Sequence, residues 1–276
     1  MSTLRTLVGC KIDTNMVPIQ RASVENNLDW LELKSTSSIG YDLVALTRRI
    51  PEITFETNDL KSVATIMGNN IYAVKDVTFY MGTFATEPSY GYYFSGTGVA
   101  TKTMENAVII IDRISGDVGE PITVTLRVRG GDISSDSENI NLEEFTLTHS
   151  EVNTISSLTV DTTTIGVRNL EIATNVEFYD HFTTNITPDL SAITTVRLEA
   201  TATILIDDML TLEALTQKKN FVFTLKKYRE VQSPIDSGSI TITNAIAKCE
   251  SYETSIGEIA TARVVIKGKD IAFNWS

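Results

Sequence analysis

Apolar and polar residues alternate along most of this chain, and in two places a period near 3.6 takes over. In residues 1–20 a short apolar alternation (Leu4, Leu7, Val8, Ile12) leads to Val17-Pro18, which reads either as a first strand or as an arm reaching a neighbour. Residues 28–35 place Leu31 and Leu33 on one face and Glu32 and Lys34 on the other, the signature of a half-buried strand. Residues 51–57 alternate in the same way, as do 169–174 and 195–200. After the strand at 51–57, Leu60, Val63, Ala64 and Met67 fall at i, i+3, i+4 and i+7, which predicts one amphipathic helix. Thr57 or Asn58 is its expected cap, Asp59 suits the positive end of its dipole, and Gly68 is the expected stop. A second helix is expected from Asp207 and Asp208 through Met209, Leu212, Leu215 and Thr216, with Lys218 and Lys219 in the last turn and Asn220 as the stop. Each helix is followed by an aromatic strand, at 74–81 and at 221–228. Residues 82–98, GTFATEPSYGYYFSGTG, read as a hairpin or exposed loop, and the corresponding run in the second half is the shorter EVQSPIDSG.

The alternating pattern also repeats. Residues 106–130, NAVIIIDRISGDVGEPITVTLRVRG, align without a gap on 244–268, NAIAKCESYETSIGEIATARVVIKG, at an offset of 138, half the 276-residue chain. Six of 25 pairs are identical, Asn106/Asn244, Ala107/Ala245, Gly119/Gly257, Glu120/Glu258, Thr123/Thr261 and Gly130/Gly268, where chance would give about one or two. Both copies read as strand, Gly-Glu turn, strand. Leu31-Glu32-Leu33 matches Leu170-Glu171-Ile172 at an offset of 139, Tyr41-Asp42 matches Tyr179-Asp180 at 138, and the strand at 51–57 matches 195–200 near 143. The expectation is a tandem duplication: a first domain at 1–130, a linker at 131–141 and a second domain at 142–276. The run GGDISSDSENIN at 130–141 is the linker-like stretch.

Composition and charge narrow the function classes. Hydrophobic residues make up 42% and charged residues 21% of the chain, a globular balance rather than a disordered one. No stretch approaches the roughly 18 consecutive apolar residues of a membrane helix, and the start lacks the apolar core of a secretory signal, so the protein is expected to be soluble and made in the cytoplasm. The net charge of −12 is shared between the halves and leaves no basic block to hold nucleic acid. An acidic surface would keep DNA from sticking, and it equally serves plain solubility.

Candidate chemistry is sparse. Cys10 and Cys249 lie in opposite halves without metal or disulfide spacing and read as reduced thiols. His149, in the strand-like FTLTHS, reads as structural and His181 as a surface residue; neither has a nucleophile motif nearby. Asp132, Asp136 and Glu138 could offer oxygens to calcium, but their spacing does not match a calcium loop. Gly96-Thr97-Gly98 lacks the rest of a phosphate loop, and Asp207-Asp208 is explained by helix capping. Tyr90, Tyr92, Tyr93 and Phe94 read either as one aromatic strand face or as part of a subunit interface. No catalytic, cofactor-binding or metal-binding residue is assigned, and an enzyme is not expected.

Two halves with this order, carried by PEITFETNDLKSVATIM (51–67), GTGVATKTMENAVIIIDRISGDVGEPITVTLRVRG (96–130) and, in the second half, 195–216 and 239–268, resemble the tail tube protein family of tailed bacteriophages and the related tubes of contractile injection systems. The resemblance implies a mainly β fold, with one short helix per half in two tandem tail-tube-like β-sandwich or barrel domains. It implies a structural virion protein that self-associates into stacked rings, forming the tail tube through which phage DNA passes without specific binding, alongside other tail proteins. Most members carry one domain and form six-membered rings. Two domains per chain then imply a homotrimer with pseudo-sixfold symmetry in place of a homohexamer. A tube-end or baseplate ring protein, and a tandem β-sandwich decoration or receptor-binding module, are the alternatives.

Overall fold

A computed structural model describes residues 5–33, 43–87, 91–130, 133–140, 152–182, 188, 190–205, 218–228, 236–254 and 259–275. Among these, fifteen strands and a single short helix build one large antiparallel sheet. The strands of the N-terminal part are β1 (Arg5–Ile12), β2 (Asn15–Pro18), β3 (Arg21–Leu33), β4 (Leu43–Thr57), β5 (Tyr72–Glu87), β6 (Gly91–Asp117), β7 (Thr123–Arg129) and β8 (Ile133–Glu138), with α1 (Leu60–Ile66) between β4 and β5. Those of the C-terminal part are β9 (Asn153–Val160), β10 (Thr163–His181), β11 (Leu190–Leu205), β12 (Lys219–Lys227), β13 (Asp236–Glu253), β14 (Thr261–Gly268) and β15 (Asp270–Trp275).

Period-two patterning places the core. In β7, Val124, Leu126 and Val128 are fully buried, while the intervening Thr123, Thr125, Arg127 and Arg129 are half-buried on the opposite face. Phe221, Phe223 and Leu225 do the same in β12. Burying each such side chain stabilises the fold by about 1.5–3 kcal/mol, and a one-residue slip would turn every one of them outward. The buried residues form one cluster running from Cys10 to Phe273 through both parts of the chain, with a small satellite at Tyr80 and Val99.

Helix α1 follows the predicted stripe: Leu60, Val63 and Ala64 are buried, as is Met67 at its C-cap, and Gly68 closes it at φ +64°. Its N-cap differs from the expectation. Asp59 caps it, its carboxylate accepting from the Ser62 backbone N–H at 3.0 Å. Thr57 and Asn58 are instead drawn into the core edge. Asn58 donates to the Ile122 carbonyl at 2.6 Å and accepts from the Gln20 amide, and the Thr57 hydroxyl accepts from the Asp59 N–H. The second expected helix, at 206–217, lies outside the described residues.

Two further points concern strands, the first a difference and the second one of the two expected readings. The stretch read as a linker contains β8, antiparallel to β6 with Met104 opposite Ile133 and Val99 opposite Glu138. From Ser134 on, its residues are exposed, so hydrogen bonding to an existing edge, and not apolar alternation, makes it a strand. The glycine- and aromatic-rich run at 82–98 is the hairpin end of β5 and β6, with Phe84 opposite Phe94 and Glu87 opposite Gly91.

The C-terminal strands form a closed circuit: β10 pairs β9, β9 pairs β12, β12 pairs β13, β13 pairs β14, β14 pairs β11, and β11 pairs β10 again. Long β10 and β13 each bend from one side of the circuit to the other. The N-terminal strands pair in the same order, with β2 and β3 together taking the part of β10 and β8 lying on β6 as β15 lies on β13. The N-terminal part and the C-terminal circuit meet where the end of β6 pairs with β10: Arg113 stands opposite Ala173, Ile114 opposite Ile172 and Asp117 opposite Asn169.

Candidate functional site

The candidates for chemistry are scattered. Cys10 is fully buried, and desolvation pushes its thiol far above the ordinary range, so the nucleophilic thiolate is suppressed. Cys249 is half-buried on β13 and lies 3.6 Å from the Ser251 carbonyl. His181 is exposed at the end of β10, not in a loop. Asp136 and Glu138 lie exposed along β8, where the Asp136 carboxylate accepts from the Ser137 N–H. Gly98, at φ +63°, donates its N–H to the Asn139 side chain at 2.9 Å, so that glycine serves an irregularity within β6, where its register against β5 shifts. Tyr92, Tyr93 and Phe94 sit in the paired hairpin of β6. Asp132, His149, Tyr90, Asp207 and Asp208 lie outside the described residues.

The Gly119-Glu120 corner joins the two circuits. Gly119 adopts φ +86°, which suits a residue without Cβ. The corner docks on the start of the C-terminal circuit: Val118 N–H donates to the Arg168 carbonyl at 2.8 Å, Gly119 N–H to Thr154 Oγ1 at 2.9 Å and Ile122 N–H to the Asn153 carbonyl at 2.9 Å. Glu120 itself is exposed, with its own N–H bonded to the Asp117 carbonyl. The companion corner Gly257-Glu258 lies outside the described residues.

Away from this corner, at the opposite end of β7, lies a polar cluster of the junction. Arg129, at the end of β7, forms ion pairs with Asp180 of β10 and Glu52 of β4, and these three side chains are only 13–15% exposed. Its guanidinium stands 4.5 Å from the centre of the Phe178 ring, whose electron-rich face favours a cation. Arg127 pairs with Asp112 at 2.9 Å and lies 5.7 Å from the same ring. Ser191 donates to the second oxygen of Asp180 at 2.7 Å, and Thr174 donates to the Ile111 carbonyl. Lower along the seam, Arg113 pairs with Glu171 at 2.8 Å. The carboxylates face cations, an arrangement that clamps one surface to another.

Sequence reasoning missed Arg127, Arg129 and Phe178, and it met Asp180 only as a repeated residue. One signal was available in β7: two arginines alternate with Leu126 and Val128, so both cations sit on the face opposite the core.

The matching face of the C-terminal circuit is open. Ile246, Lys248, Cys249, Glu250, Val265 and Lys267 line a shallow depression of about 470 Å³ on β13 and β14.

Neither a scan against protein-family models nor a search of the curated proteins finds a match for this chain.

Proposed function

We propose that the chain is an internally duplicated, tube-type structural subunit, three copies of which close into a ring and stack into the tail tube of a bacteriophage. The observation that carries the duplication is the recurrence of pairing register. Cys10 opposite Phe79 corresponds to Leu158 opposite Phe223, and Val77 opposite Met104 to Phe221 opposite Ile242. Val108 opposite Arg129 corresponds to Ile246 opposite Lys267, and Glu52 opposite Arg129 to Glu199 opposite Lys267. The irregularities recur as well: the shift after Asp29 in β3 corresponds to the shift after Glu177 in β10. Asn106 and Asn244 share a left-handed φ of 51° and 52°, each with its N–H bonded to a side-chain oxygen, of Asp76 and Asn220 respectively. Independent evolution of the same bulges and the same strained asparagine is a poor alternative to duplication, because bulges are specific features of a ladder.

On this correspondence Glu177 stands where Asp29 does, and Leu31-Glu32-Leu33 matches Tyr179-Asp180-His181 instead of Leu170-Glu171-Ile172. The offset falls along the chain because the connections in the second half are shorter.

The way the halves are joined supports a ring. One half presents the end of β6 and the other presents β10, two different surfaces, so the contact is heterologous and can repeat around a closed ring. The charge of −12 suits a conduit that DNA crosses without being held. Electron microscopy and native mass spectrometry of the purified full chain test the proposal. Stacked rings of three chains are expected; six chains per ring, or a chain that stays monomeric at high concentration, would overturn it.

A further inference from the structure

We infer that neighbouring copies of this chain join through β13 and β14 of one copy and β3 of the next, repeating between chains the seam that β6, β7 and β10 make within one. The inference rests on the self-assembling reading and names the surfaces that reading leaves open.

Register identifies the partners. Within the chain, Arg113 of β6 stands opposite Ala173 of β10. The corresponding positions are Ser251 of β13 and Glu25 of β3, which within the chain are laddered to Arg263 and Glu52 and not to each other. Along 246–253, β13 is laddered to β14 on one side, and among the described residues β3 is laddered to β4 alone. An uncovered strand edge is a template for another strand.

Burial points the same way. Val108 and Ile114 are 5% and 1% exposed, whereas their counterparts Ile246 and Tyr252 are 40% and 55% exposed. An apolar side chain as exposed as Ile246, at the position where Val108 is buried, marks a surface that a second copy can cover.

The charge pattern completes the argument. Arg129 pairs with Glu52 of its own half and with Asp180 across the seam. Lys267, its counterpart, pairs with Glu199, the counterpart of Glu52, at 2.8 Å and is otherwise 71% exposed. The position on β3 that corresponds to Asp180 is Glu32, again a carboxylate, and the position of Phe178 is Trp30, again an aromatic residue. The Arg113–Glu171 pair has no such counterpart, since Ser251 and Ser23 stand in those positions.

The test uses the full chain with Cys249→Ser, which leaves the fully buried Cys10 as the one native thiol, so that the introduced thiols are the accessible ones. Glu25→Cys and Ser251→Cys together should form a disulfide between chains on mild oxidation, because directly opposed antiparallel residues bring their Cα atoms within about 4.5–5.5 Å. The product should be a covalent trimer on a non-reducing gel, absent from either single-cysteine chain. In parallel, Glu32→Lys or Lys267→Glu alone should weaken ring formation about tenfold, and the two together should restore it. If rings form but neither the disulfide nor the charge reversal has an effect, this interface is wrong and the self-assembling reading stands. If the parent chain remains monomeric and no cross-link forms, both fall.

Discussion

Asn106 shows how a single residue holds a feature of the ladder in place. It sits at φ +51°, where most side chains crowd the backbone, and its N–H is held by the Asp76 carboxylate at 2.7 Å. Asparagine tolerates this conformation and glycine adopts it freely, whereas a β-branched residue does not. Asn106→Val should therefore destabilise the protein by about 1–2 kcal/mol in urea unfolding, while Asn106→Gly should stay near the parent value. A nearby pair makes a smaller contribution. Hydrogen bonding to Lys75 holds the Asp13 carboxyl below its ordinary range, so the stabilisation is present above the unfolded carboxyl pKa and is lost as pH falls through the lower folded value. The pair is partly exposed, which limits its worth to about 0–1 kcal/mol.

At the scale of elements, α1 is short enough that its ends matter as much as its face. Asp59 caps the Ser62 N–H, and Leu60, Val63 and Ala64 bury the stripe. Asp59→Ala should cost about 1 kcal/mol by loss of the cap, measured by chemical denaturation, with Thr57→Ala testing the cap expected from sequence. The stripe was legible because helical spacing is a local property of Leu60, Val63, Ala64 and Met67. The choice among Thr57, Asn58 and Asp59 was not, because all three are competent caps. The Ile122 carbonyl and Gln20, distant in sequence, claim Asn58. Strand β8 was illegible for a related reason: DISSDSEN carries almost no alternation, and it becomes a strand because β6 offers it an edge. The pairing of Thr83 with Ser95 through Glu87 with Gly91 agrees with one of the two readings of the run at 82–98.

For the whole molecule, the core does not divide at the seam. Ile114 and Ile122 of the N-terminal part belong to the same buried cluster as Ile155, Leu170 and Ile172 of the C-terminal part. The dissociated chain should therefore unfold in one calorimetric transition, with van't Hoff and calorimetric enthalpies in agreement. Two resolved transitions would show that the halves are energetically separate. The candidate assembly surface was the least legible feature. The gapless match of 106–130 with 244–268 offers a single offset, but on the proposed correspondence connections of unequal length shift it elsewhere. The partners of Arg129 and Lys267 therefore could not be found by counting along the chain.

The sequence by itself determined which residues face the core, that strands dominate, where α1 lies and that the Gly119-Glu120 run makes a corner, because burial period and turn chemistry are written into neighbouring residues. The tertiary structure alone decided which edges meet, which carboxylate Arg129 finds across the seam and which matching surface stays open at Lys267. Strand edges pair through backbone groups that nearly every residue shares, so an edge carries little sequence mark until the fold sets a second edge beside it.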